Sequence, residues 1–79
     1  MTYSDFYKIV CYVNENNRGK FTQRELEAFA NNYLIEFEES KKTNIFTPAL
    51  LSLYETLNEY NDLQTRYWMS VILYEVCKA

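Results

Sequence analysis

YWMSVILYEVC, residues 67–77, is the densest apolar run of the chain, and its reading decides the fold. At about 3.6 residues per turn, Tyr67, Val71 and Tyr74 share one face, and Trp68, Ile72 and Val76 share the neighbouring one. At a period of two, the same β-branched and aromatic residues would suit a strand. The rest of the chain favours the helix. One Gly and one Pro among 79 residues leave few of the breakers that tight β-turns need. The expectation is a helix over 63–78, with a strand in part of it as the alternative. A helix that is apolar nearly all round belongs in the middle of a bundle, or carries its excess surface to a dimer or partner contact. The run is too short to cross a bilayer, which needs about 20 residues.

Three further helices follow from the same period. Phe6, Ile9, Val10 and Val13 form one face of a first helix over 4–13, with Ser4 as its expected N-cap. Leu26, Phe29, Ala30, Tyr33 and Phe37 form the stripe of a second over 22–39. Glu25, Asn32 and Glu36 run along one edge of that stripe. SKKTNIF (40–46) reads as a polar linker, with Lys41 and Lys42 at the end where cations suit the helix dipole. Thr47-Pro48 is a strong start signal for a third helix, whose face is Leu50, Leu53, Tyr54 and Leu57. Phe46 and Leu51 are placed to staple that start, and Asn61 with Gln64 to cap the fourth helix. The 6, 9, 10, 13 spacing recurs at 50, 53, 54, 57. The expected fold is therefore all-α: one small four-helix domain, 1–79, built of two packed helix–loop–helix units.

Eight Tyr, five Phe and one Trp supply the core of so short a chain. The net charge is −3, with seven acids against four bases in residues 1–40 and four against four in 41–79. No basic patch offers phosphate a footing, so direct nucleic-acid binding is not expected. There is no His, hence neither the commonest general base nor the commonest neutral metal ligand. Cys11 and Cys77 form no CxxC pair; a disulfide between them is geometrically possible but not indicated, and buried free thiols within apolar runs are the plainer reading. Without a charged segment leading into an apolar one at the start, a soluble cytoplasmic protein is the expectation.

NENNRGKFTQRE, residues 14–25, bears on metal. Asn14, Asn16, Arg18, Thr22 and Glu25 fall on side-chain positions 1, 3, 5, 9 and 12 of a calcium loop, with Gly19 at its sharp turn. With Phe6, Ile9, Val10 and Val13 before it and Leu26, Phe29, Ala30 and Tyr33 after it, the stretch 5–33 resembles an EF-hand. The resemblance would imply Asn14, Asn16, Thr22 and Glu25 as calcium ligands. The loop departs from the family at its acids, since Asn, Asn and Arg stand at positions 1, 3 and 5. Arg18 cancels Glu25, and a positive charge about 5 Å from a dication costs several kcal/mol even at an effective dielectric of about 20. The implied form is a degenerate, metal-free helix–loop–helix. The same residues also read without any metal: Thr22 and Glu25 make a T-x-x-E capping box, stapled by Phe21 and Leu26.

Catalysis finds little support, for the acids lie on polar helix faces and no Ser or Cys has a His to activate it. No enzyme activity and no cofactor are expected. A helix-turn-helix reading is weak: only Gln23 and Arg24 suit a groove, while the outward Glu25, Glu27, Glu36 and Glu38 would be repelled by a phosphate backbone. Two binding readings remain. In the first, a non-catalytic interaction module or small regulator engages a protein partner, or its own copy through 63–78, by Tyr67, Trp68 and Tyr74. In the second, Glu25, Glu36 and Glu39 form an acidic face that mimics nucleic acid, as in small phage- or mobile-element-type inhibitors. Salt separates them, because only the mimic should weaken steeply as ionic strength rises.

Overall fold

The computed structural model describes residues 1–78. It consists of four α-helices: α1 (Tyr3–Asn16), α2 (Gln23–Thr43), α3 (Pro48–Tyr60) and α4 (Leu63–Cys77). Among the described residues there is no strand, and 67–77 is helical throughout. The fold is all-α, as the helical period requires.

The chain clusters into two compact units, Met1–Leu34 and Ile35 onward. The division falls inside α2, not in the loop before Pro48. In the first unit the N-cap of α1 lies two residues earlier than expected. Thr2, not Ser4, is its N-cap: the Asp5 amide donates to the Thr2 hydroxyl at 3.3 Å, and the Thr2 amide donates back to the Asp5 carboxylate at 2.8 Å. Asp5 is the nearest acid that can close such a box, which decides the register. Phe6, Ile9, Val10, Leu26 and Ala30 are the buried apolar residues of this unit.

In the second unit α2 continues through Ser40, Lys41 and Lys42 to Thr43, so the expected linker 40–46 is mostly helix. Its two lysines lie in the last turn, where they meet the negative end of the dipole. Ser40 is fully buried, and its hydroxyl accepts a hydrogen bond from the Thr47 amide at 2.9 Å. Thr47 caps α3 and Pro48 opens it, as the sequence predicts. Phe46 sets its ring edge-on to Tyr54 at 5.3 Å, while Leu51 stays exposed. Asn61 is the left-handed end of α3 (φ 50°), and Asp62, with Thr65, caps α4. The expected Asn61–Gln64 cap is thus displaced by one residue, because Asn61 is consumed in turning the chain. α3 and α4 pack together. Phe37, Leu50, Leu53, Leu57, Trp68, Ile72 and Val76 are buried.

Candidate functional site

α4 is not apolar-buried all round. Thr65, Trp68, Ile72 and Val76 face inward. These four sit within about 80° of arc. On the opposite side, Leu63, Tyr67, Ser70 and Tyr74 are all exposed, the three large ones at 83%, 64% and 71%. Their spacing of 4, 3 and 4 puts them within about 60° of arc. Leu73, 44% exposed, flanks them. The result is a helix with one seam buried and a second apolar seam facing solvent.

This corrects one expected partner-binding residue. Trp68 is only 7% exposed and belongs to the buried seam. Its indole lies on the face that α4 turns inward, one position from Tyr67 and about 100° round the helix. Tyr67 and Tyr74 lie together on the outward seam. Leu63, Leu73 and Ser70 were not singled out from sequence. The signal was the heptad-like spacing 63, 67, 70, 74. Grouping Tyr67 with Val71 hid it, for Val71 is half-buried at the edge.

The acidic candidates do not form a comparable surface. Glu25 lies in the first unit and is spent on a helix cap: the Thr22 amide and hydroxyl donate to its Oε1 at 3.0 and 3.1 Å. Glu39 is exposed but lies 3.7 Å from Lys42, and Glu38 lies 3.6 Å from Lys41. Lys41 also lies 3.9 Å from Glu75 and 5.1 Å from the centre of the Phe37 ring. Glu36 is half-buried.

In the loop between α1 and α2, each residue of the implied calcium set is engaged with the protein itself. Asn14 is buried, and its Oδ1 accepts from the Phe21 amide at 3.2 Å. Asn16 donates its side-chain amide to the Tyr12 carbonyl at 2.8 Å. Thr22 and Glu25 close the capping box just described. Helix α1 itself runs through both asparagines and ends in a Schellman turn: Gly19 N–H reaches the Asn14 carbonyl at 2.8 Å and Arg18 N–H the Glu15 carbonyl at 3.3 Å. Arg18 holds the left-handed position, φ 73°, that glycine usually takes. Phe21 is exposed, with its ring edge-on to Phe29 at 5.0 Å.

Among the described residues no group of three or more His, Cys, Asp or Glu is placed to hold a metal. Both cysteines are free thiols, Cys11 half-buried and Cys77 exposed. A hydrogen bond with Cys11 raises the Tyr7 phenol above its ordinary range, and burial raises Tyr33. An open cleft of about 270 Å³ lies between α3 and α4, lined by Tyr54, Asn58, Asn61, Arg66, Met69, Ser70 and Leu73. Its guanidinium is already held, since Arg66 donates to the Asn61 side-chain oxygen at 2.8 and 3.2 Å. No helix of the described residues is long and apolar enough to cross a membrane. No family model, no curated protein and no solved structure matches the chain.

Proposed function

We propose that the chain is a non-catalytic protein-interaction module that docks through the outward seam of α4. The observation that carries this reading is the exposure of Leu63, Tyr67 and Tyr74 along one side of a helix whose other side is already buried. Aromatic residues contribute most of the energy at protein interfaces, and exposed apolar stripes of this kind mark contact surfaces. The acidic mimic is the second reading. Its support is the exposed pair Glu38 and Glu39 near the end of α2. Lys41 and Lys42 stand 3.6 and 3.7 Å from those two carboxylates, which favours the α4 surface. The metal-free EF-hand-like shape of 5–33 remains a proposal about form and supplies no partner.

The test is partner capture by the immobilised chain, with identification by mass spectrometry. A Tyr67→Glu/Tyr74→Glu variant should lose the partner, and Glu38→Gln/Glu39→Gln should keep it. The opposite pattern, with steep loss of capture between low and moderate salt, would establish the mimic instead.

A further inference from the structure

We infer that the outward seam of α4 pairs with the same seam of a second copy of this chain, the two helices running antiparallel. This rests on the reading of α4 as the docking surface and names its occupant. Three features point to a second copy. The first is fit. Read in one direction the seam is Leu63, Tyr67, Ser70, Tyr74, large at every position but one. Laid antiparallel on itself, it sets Leu63 against Tyr74 of the other copy and Tyr67 over Ser70, twice by symmetry. The one small side chain meets a bulky one each time, which is the self-complementarity a two-fold interface requires.

The second feature is charge. Leu63, Tyr67, Ser70 and Tyr74 themselves carry no charge, and the one cation on their Leu73 flank, Arg66, is bonded to the Asn61 side chain. An antiparallel pair opposes the two helix dipoles and carries exposed Lys78 of each copy toward Glu59 and Asp62 of the other. A parallel pair would set those like charges side by side. The third is area. Leu63, Tyr67, Leu73 and Tyr74 at their observed exposures offer on the order of 500 Å² per copy, about 1,000 Å² for the pair. That reaches the lower edge of specific interfaces and predicts a reversible dimer, not an obligate one.

Sedimentation velocity across a concentration series tests the pairing on the full chain. The wild-type chain should pass from monomer to dimer, and association should change little with salt. Leu63→Glu and Ser70→Glu should each weaken it by at least tenfold, while Leu51→Glu, on the exposed side of α3, should leave it unchanged. All three positions are exposed, and far-UV circular dichroism should show undiminished helix in each variant. A chain that stays monomeric at ~1 mM overturns the inference, as does a dimer that Leu51→Glu alone disrupts. If a heterologous partner is still lost in Tyr67→Glu/Tyr74→Glu while the wild type remains monomeric, the docking surface stands and self-pairing falls.

Discussion

The Thr47 amide donates to the Ser40 hydroxyl at 2.9 Å, tying the last turn of α2 to the first residue before α3. Ser40 is fully buried, so this polar contact replaces water that cannot reach it. Ser40→Ala removes the acceptor and leaves the amide without a partner. A loss of about 1–2 kcal/mol is expected by urea denaturation, because orphaning a donor costs its desolvation. A variant as stable as wild type would mean that water replaces the hydroxyl.

Arg18 is the one non-glycine residue of the α1 turn with positive φ, at 73°. Its side chain is exposed. Arg18→Gly should relieve the left-handed strain and stabilise the protein by about 0.5–1 kcal/mol, after the entropy that glycine adds to the unfolded chain. A lower midpoint of thermal unfolding would show that the guanidinium makes a contact outweighing the strain.

Asp5 sets a pH dependence. The Thr2 backbone hydrogen bond, opposed in part by burial, holds its carboxyl below the ordinary aspartate value. A folded pKa below the unfolded one gives stability that is fully present above the unfolded value. That stability is lost as pH falls through the folded value. Acid titration of wild type and Asp5→Asn should therefore show a constant offset near neutrality, with wild type the more stable at pH 7, and converge as pH falls through the aspartate range. Curves that stay parallel down to acid would remove Asp5 from the account.

The two seams of α4 should respond oppositely to truncation. Trp68→Ala opens a cavity in the buried seam and should cost about 3–5 kcal/mol. Tyr67→Ala and Tyr74→Ala, on the exposed seam, should change monomer stability by less than about 0.5 kcal/mol. Denaturation at low protein concentration separates these figures from any effect on association.

Calcium should leave the unfolding temperature unchanged at about 1 mM, for Arg18 opposes a dication and Glu25 is held by Thr22. A rise of several degrees would show that the loop rearranges into a site.

Helix existence was legible in the sequence because the apolar period is strong in all four segments. Thr47-Pro48 and Thr22–Glu25 also announced their starts, since each carries its own hydrogen-bonding partner within three residues. The end of α2 was not legible. Ser40, Lys41 and Lys42 look like solvent, and only the Thr47 amide gives Ser40 a reason to be inside. At the start of α4, Asn61 and Asp62 are both good caps, and which one caps depends on which residue takes the left-handed turn. Trp68 and Tyr67 show the same limit. Periodicity defines two faces on an apolar helix, but packing against α3 chooses the one that is buried.

The boundary between Leu34 and Ile35 cuts across an unbroken helix. Severing the chain there would strand about four amide donors on one fragment and about four carbonyls on the other, with no cap supplied to either. Neither fragment would inherit a finished end, so trimming a gene at this boundary would not yield an autonomous half. Nicks are better tolerated where the backbone already turns in the open, at 17–20 and 44–45.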